Sequence, residues 1–175
     1  MSTKDEQAAR KGKAAEQLIA ALCVLATGTE LNALTALVDD EGVDVAFKRR
    51  DGTRTLDVQV KARFSDETGS KQLREKRRLV AVVRAATFRV REDFWLLFAA
   101  VDGRRGVVET AWFVPSDRFD ELAGQQVVRG QVRRRFSASA KAGSKDQWRE
   151  FRVAGQELPG RVLEVVRSLE PPPSP

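Results

Sequence analysis

The sequence contains no histidine and a single cysteine, Cys23. Without histidine, a serine or cysteine nucleophile activated by an imidazole base is excluded, and the usual nitrogen ligand of zinc is missing. One cysteine excludes an intramolecular disulfide and a zinc site built from cysteines. Any acid–base chemistry must therefore use carboxylates, lysine or water bound to a metal ion.

Long apolar runs are also missing from the chain. No stretch of about 18 apolar residues is present, so the sequence predicts no membrane-spanning helix. The opening MSTKDEQAARKGK is polar and lacks the apolar segment of a secretory signal. We therefore expect a protein of the reducing cytoplasm.

The composition is that of a basic globular domain. Of 175 residues, 42% are hydrophobic and 32% charged, which is enough for one domain with a sizeable core. The net charge of +6 and the pI near 9.9 favour a polyanionic partner. Residues 71–91 contain eight Lys or Arg and one acid, and residues 129–152 contain eight and two. Either segment alone is equally consistent with an ordinary solvated surface.

An apolar pattern at three- and four-residue steps predicts a helix over residues 7–27. Glu16 lies beside its apolar stripe, and Gly28 is suited to end the helix in a left-handed cap. We expect residues 1–10 to be flexible, residues 11–169 to form a single domain and residues 170–175 to be a disordered tail.

Residues 42–63 alternate apolar and polar side chains on both sides of an Asp-Gly pair at 51–52, which predicts a β-hairpin. A tight type I′ turn at that pair makes the numbers of paired residues sum to 103. Val45 then faces Val58, and the apolar positions of the two strands match throughout, which supports this register without any functional assumption.

The rest of the chain mixes strand and helix patterns, with no internal repeat and no domain boundary. Residues 78–90 fit either a strand or a helix. Five further elements are predicted: a buried strand over 94–102, a returning strand over 107–115, a short helix from 116, an edge strand within 128–140, and a helix over 158–169.

The hairpin register also places Asp44 opposite Gln59, with Lys61 within diagonal reach. The Asp44 carboxylate and the Gln59 carbonyl are oxygen ligands of the kind that Mg²⁺ prefers, and Glu16 would add a second carboxylate if its helix packs nearby. Lys61 would orient or deprotonate a water, or stabilise charge on a phosphate. The alternative is that these polar residues form only a solvated face of the hairpin.

The segments KGKAAEQLIAALCVL, DDEGVD and QVKAR together resemble the PD-(D/E)xK nuclease superfamily. The resemblance covers about residues 11–64 and is to the Q-x-K form seen in Mrr-type restriction endonucleases and related bacterial domains. It implies an α/β (α+β) fold, in which a restriction-endonuclease-like mixed β-sheet is flanked by helices in a single domain. It also implies four catalytic residues: Glu16, Asp44, Gln59 and Lys61. Of these, Glu16, Asp44 and Gln59 would hold a Mg²⁺ or Mn²⁺.

Two functions follow from this resemblance. The first is a Mg²⁺-dependent endonuclease that hydrolyses phosphodiester bonds, with DNA as the expected substrate, in bacterial defence or DNA repair. The alternative is a catalytically inactive nuclease-fold module that binds nucleic acid or a protein partner. The sequence leaves open DNA or RNA, the strandedness of the substrate, and whether the chain acts as a homodimer or in a larger assembly.

The candidate nucleic-acid-binding residues come from the two basic segments. Phe136 or Trp148 is expected nearby as a packing or stacking surface for the nucleic acid. The candidates are Lys76, Arg77, Arg78, Arg133, Arg134 and Arg135.

Overall fold

The structure is a computed structural model that describes residues 3–35, 42–66 and 71–171. Residues 1–2 and 172–175, which belong to the terminal segments predicted to be flexible, lie outside the described residues, as do the first three letters of the DDEGVD motif. In the described ranges, no helix is both long and apolar enough to cross a membrane.

The described part of the chain forms four α-helices and nine β-strands. The helices are α1 (Thr3–Ala26), α2 (Lys71–Lys76), α3 (Ser116–Leu122) and α4 (Leu158–Leu169). The strands are β1 (Leu31–Thr35), β2 (Val45–Arg49), β3 (Thr55–Phe64), β4 (Arg78–Arg84), β5 (Phe94–Asp102), β6 (Val107–Pro115), β7 (Gly124–Val128), β8 (Gln131–Ser139) and β9 (Arg152–Ala154).

Helix α1 begins earlier than its apolar pattern indicated, so residues 3–10 are helical. Its stripe of Ala15, Ile19 and Cys23 is buried. The helix ends at the predicted glycine, because Gly28 has a φ of +59° and its N–H donates to the carbonyl of Leu25 at 3.2 Å.

A mixed sheet with the strand order β1-β2-β3-β5-β6-β9, here called the large sheet, forms the centre of the described fold. All its neighbouring strands are antiparallel except β3 and β5, which are parallel. A parallel pair needs a crossover connection, and the segment containing α2 and β4 supplies it. Strand β5 lies in the interior of this sheet and is buried on both faces, which explains its continuous apolar sequence.

A second sheet, the small sheet, has the order β4-β8-β7. The strand predicted within residues 128–140 is present as β8, but its predicted position at the edge is wrong, since β8 lies between β4 and β7. The sequence pattern missed β7, which joins β8 through a two-residue turn at Arg129 and Gly130. Both turn residues have positive φ, +52° and +74°, as a type I′ hairpin requires. The ambiguous residues 78–90 contribute strand β4.

The two faces of the large sheet are covered by different elements. Helices α1 and α4 pack on one face, around Phe47 and Leu56, and the small sheet and α3 pack on the other, around Phe98 and Trp112. This confirms the predicted α+β class, a mixed sheet flanked by helices in a single domain. The arrangement leaves the edge of β3 between the two layers, next to the N-terminal half of α1.

Candidate active site

The hairpin of β2 and β3 has the predicted register, with Val45 paired to Val58 and Phe47 to Leu56. Its turn is different, because neither residue of the Asp-Gly pair at 51–52 has the positive φ that a type I′ turn requires. The last ladder pair is Lys48 with Thr55, so the connecting loop is wider than two residues. The matching apolar faces alone are therefore sufficient to set the register.

Asp44 leaves the strand ladder instead of pairing with Gln59, which corrects the expected pairing. Its N–H donates to the carbonyl of Val58 at 3.0 Å. Its carboxylate Oδ2 accepts a hydrogen bond from the N–H of Val60 at 2.7 Å. The carboxylate oxygen thus replaces the backbone carbonyl that a longer β2 would offer to this N–H. The side chain of Asp44 thus ends the pairing and is itself fixed against the edge of β3.

Beyond Val58, the edge of β3 is not covered by β2, and the N-terminal half of α1 runs beside it. The gap is an open cleft of about 360 Å³. Its lining residues are Ala8, Ala9, Lys11, Gly12, Glu16, Asp44, Val60, Lys61, Ala62, Arg63 and Phe64. Three of the four predicted catalytic residues, Glu16, Asp44 and Lys61, therefore lie around one cleft.

Glu16 reaches this cleft because the buried stripe of α1 fixes the orientation of the helix. Its side chain is 14% exposed, and the ammonium of Lys13 lies 2.9 Å from Oε2. That oxygen is shielded from solvent and accepts no hydrogen bond of good geometry within the described residues. Glu16 thus offers a carboxylate oxygen that is positioned by packing and held by one ion pair.

Gln59 is buried beside the cleft and does not line it. Only 4% of the residue is exposed, and its carbonyl Oε1 has no hydrogen-bond partner among the described residues. Its Nε2 lies against Gly42, where an added Cβ would approach to 2.9 Å. A buried amide oxygen without a partner is costly, which makes Gln59 the site residue with the most to gain from a cation.

The cleft contains two cations that the sequence analysis missed, Lys11 and Arg63. Arg63 lies two residues after Lys61 on β3, so the two-residue period of the strand was a signal that could have found it. Its Nε donates to the carbonyl of Val80 at 3.1 Å and its Nη1 to that of Ala62 at 2.9 Å. Burial lowers the pKa of the Arg63 guanidinium, which nevertheless remains charged at neutral pH.

Around this cleft the described lining contains three cationic side chains, Lys11, Lys61 and Arg63, and two carboxylates, Glu16 and Asp44. The excess of positive charge suits an anionic ligand with several charges, and the open shape gives an extended chain access to Asp44. Cys23 takes no part, because burial within the α1 core raises the pKa of its thiol to about 12.

The donor groups at this cleft fit a hard divalent cation by their chemistry. No cluster of three or more His, Cys, Asp or Glu is found in the described residues. The lining supplies two carboxylates, from Glu16 and Asp44, and the carbonyl of Gln59, which has no hydrogen-bond partner among the described residues, lies buried beside the cleft. Oxygen ligands without nitrogen or sulfur favour Mg²⁺ or Mn²⁺ over zinc.

The predicted nucleic-acid-binding residues do not line this cleft, and they do not all lie on one side of the small sheet. Arg133 and Arg135 are on the outer side of the small sheet, whereas Arg134 points inward, forms an ion pair with Asp120 and lies over the ring of Phe88. Lys76, Arg77 and Arg78 follow one another at the end of α2 and the start of β4.

The expected stacking surface is not available. Phe136 and Trp148 are 0% and 1% exposed and pack on each other with ring centroids 4.7 Å apart. Both rings belong to the core between the two sheets, so neither can stack on a base at the surface. The alternating pattern of β8 places Phe136 inward and its neighbour Arg135 outward.

Comparisons with known proteins find a similarity in structure but none in sequence. No protein-family model matches the sequence, and no curated protein matches it. A solved structure titled "The structure of a bacterial homing endonuclease: I-Ssp6803I" is similar over 97% of this chain and 98% of its own, with 20% sequence identity and a TM-score of 0.49.

Proposed function

We propose that this protein is a metal-dependent nuclease that hydrolyses phosphodiester bonds of DNA. The observation that carries the proposal is the convergence of Glu16, Asp44 and Lys61 on one positively charged cleft at the edge of β3. The resemblance of the sequence motifs to the PD-(D/E)xK nucleases involves the same residues and supports the same chemistry.

Glu16, Asp44 and Gln59 would hold a Mg²⁺ or Mn²⁺, which would supply Lewis-acid activation of a phosphate oxygen and of water. The hydrogen bond from the N–H of Val60 fixes the carboxylate of Asp44 at the edge of β3. Lys61 donates to a non-bridging phosphate oxygen and offsets the negative charge that grows there as the nucleophile attacks.

Lys11 and Arg63 have a positioning role in this proposal. Both line the cleft, and Arg63 is held by hydrogen bonds from its guanidinium to two backbone carbonyls. A fixed guanidinium grips a flanking phosphate with little loss of side-chain entropy, because its geometry is set before the substrate binds. The scissile phosphate would then lie between Lys61 and Asp44.

The proposal is tested by a cleavage assay with and without Mg²⁺ or Mn²⁺, on duplex and single-stranded DNA and on RNA. We expect DNA to be cleaved only when the metal is present. Lys61→Ala should reduce the cleavage rate about 100-fold or more. Lys145→Ala, which removes the same charge at an exposed position outside the cleft, is the matched control and should cleave like the wild type. Equal cleavage by the Lys61 variant and the control would contradict the proposal.

One observation favours the second candidate function, a nuclease-fold module that binds nucleic acid without cleaving it. Gln59 is neutral, and no three-acid cluster is found in the described part of the chain. A neutral amide holds Mg²⁺ less tightly than a carboxylate does. This alternative predicts binding to nucleic acid that is insensitive to metal, no cleavage with either ion, and no effect of Gln59→Glu.

A further inference from the structure

The outer face of the small sheet is rich in arginine. Burial alternates along β4, where Leu79, Ala81 and Val83 face the core and the residues between them face outward. The register with β8 places its odd-numbered residues on the same outer side. Four arginines share this side and define what we call the arginine face: Arg78, Arg84, Arg133 and Arg135.

No acidic residue occurs in β4, β7 or β8, so the arginine face has no opposite charge within its own strands. Among the described residues, Arg84, Arg133 and Arg135 form no ion pair, and Arg78 donates to the hydroxyl of Ser137 at 3.1 Å. Arg134, by contrast, lies on the other side of β8 and forms an ion pair with Asp120. Three adjacent positive charges without partners repel one another, and a polyanion removes that cost.

The arginine face carries no aromatic side chain, and this favours a duplex over a single strand. Proteins that bind single strands provide aromatic rings on which successive bases stack. Here the nearby rings of Phe88, Phe136 and Trp148 are all buried on the inner side. The outer side presents guanidinium groups together with small or polar residues such as Ser137 and Gln126, which suits contacts to the backbone phosphates of a duplex.

The hairpin of β7 and β8 has the shape of an element that enters the major groove of DNA. It is a two-stranded ribbon with a two-residue turn, and its paired Val127 and Val132 are 71% and 46% exposed, so its end extends beyond the core. The major groove of B-DNA, about 12 Å wide, admits such a ribbon, whereas that of A-form RNA is too narrow. Gln126, paired with Arg133 on the outer side, carries the amide that can pair with adenine.

The arginine face adjoins the cleft through Arg63. This residue lines the cleft, and its Nε donates to the carbonyl of Val80 on β4, at 3.1 Å. Since β4 is the edge strand of the small sheet nearest to the cleft, a duplex that lies on the arginine face passes close to the mouth of the cleft.

We propose that the arginine face binds duplex DNA, with the β7–β8 hairpin in the major groove and the arginines on the flanking phosphates. The proposal rests on the proposed function only in taking nucleic acid as the substrate, because binding by this surface requires neither metal nor hydrolysis. It assigns Arg133 and Arg135 to the interface and excludes Arg134.

The test is a titration of fluorescent 25-base-pair duplex DNA by the full chain in EDTA, at several salt concentrations. Each lost phosphate contact lowers the slope of log affinity against log salt by about 0.9. We therefore expect Arg133→Ala/Arg135→Ala to lower the slope by about 2 and the affinity at low salt more than about tenfold. Arg104→Ala/Arg105→Ala, which removes two exposed arginines from the turn between β5 and β6, should leave both unchanged.

Arg84→Ala changes a residue on another strand of the same face and provides an independent test if the double variant does not fold. It should lower the slope by about 1. Duplex RNA and single-stranded DNA of the same sequence should bind more weakly than duplex DNA. An unchanged slope in folded Arg84 and Arg133/Arg135 variants, or tighter binding of either competitor, would overturn the proposal. If these variants bind DNA more weakly but the wild type cleaves none, the arginine face is supported as the DNA-binding surface and the proposed nuclease activity is contradicted.

Discussion

Gly42 lies against the amide of Gln59, at a φ of +72°. Replacing it with alanine places a Cβ 2.9 Å from Gln59 Nε2 and forces a left-handed conformation on a residue that has a Cβ. We predict that Gly42→Ala lowers the free energy of unfolding by about 1–2 kcal/mol, measured by urea denaturation. It should also raise the metal concentration needed for cleavage, since the Gln59 carbonyl must move.

Gly12 is the matched control for this change. It lies within α1 and also lines the cleft, but an added Cβ meets nothing within 4 Å and its φ is not positive. Gly12→Ala should therefore stabilise the protein by about 0.5–1 kcal/mol, as expected in a helix interior. The same sign of the stability change in both variants would show that the contact with Gln59 is not what requires Gly42.

At the scale of elements, Glu170 connects the end of α4 to the loop of the β2–β3 hairpin. Its carboxylate accepts hydrogen bonds from the N–H groups of Thr53 and Arg54 and from the Thr53 hydroxyl. The backbone N–H of Thr53, then that of Arg54, lowers the pKa of Glu170 below its ordinary value. The stabilisation is therefore present above the unfolded pKa, about 4.3, and is lost as the pH falls through the lower folded value.

We predict that Glu170→Gln lowers the melting temperature at pH 7 and that the difference from the wild type shrinks as the pH falls below about 4. The reason is that, at low pH, the Glu170 carboxylate of the wild type is protonated and loses the charge that the variant lacks at every pH. Glu164→Gln is the control, because this exposed acid on α4 forms its ion pair with Arg161 within its own helix. A Glu170 effect that is equally large at pH 3 and pH 7 would contradict the account.

Local patterns predicted the elements whose signals lie within their own segment. The strands β5 and β6 and the helix α4 have the predicted bounds, 94–102, 107–115 and 158–169. The small sheet was not predicted, because β4 and β8 are about 50 residues apart and their pairing depends on long-range contacts. The register of the β2–β3 hairpin was predicted from its apolar faces, whereas the departure of Asp44 from the ladder depends on a side-chain hydrogen bond that no periodicity encodes.

The same limit applies to the candidate site. Glu16 and Lys61 were found because helix and strand periods place them beside apolar stripes, and the structure brings both to one cleft. The grouping of Arg133, Arg134 and Arg135 was too coarse, since a strand places neighbouring residues on opposite faces. Lys11 was missed because its place at the cleft follows from how α1 packs beside β3.

At the scale of the whole molecule, two groups of positive charge lie on adjoining surfaces. One is the cleft with Lys11, Lys61 and Arg63, and the other is the arginine face of the small sheet. Arg63 contacts both, through the cleft and through the carbonyl of Val80. This arrangement separates the two tasks that the account assigns to the protein, since the arginine face binds the duplex and the cleft carries the acids.

The central claim, hydrolysis at the cleft, is tested most directly by the single-turnover cleavage rate of Asp44→Asn in Mg²⁺. Asparagine keeps an oxygen that can accept the hydrogen bond from Val60 and removes the negative charge that would bind the metal. The exposed Asp51, in the hairpin loop, is the control for the same change. We predict a rate about 100-fold or more below that of the wild type and of Asp51→Asn, with unchanged melting temperature and unchanged DNA binding in EDTA. Cleavage by Asp44→Asn at the wild-type rate would contradict it.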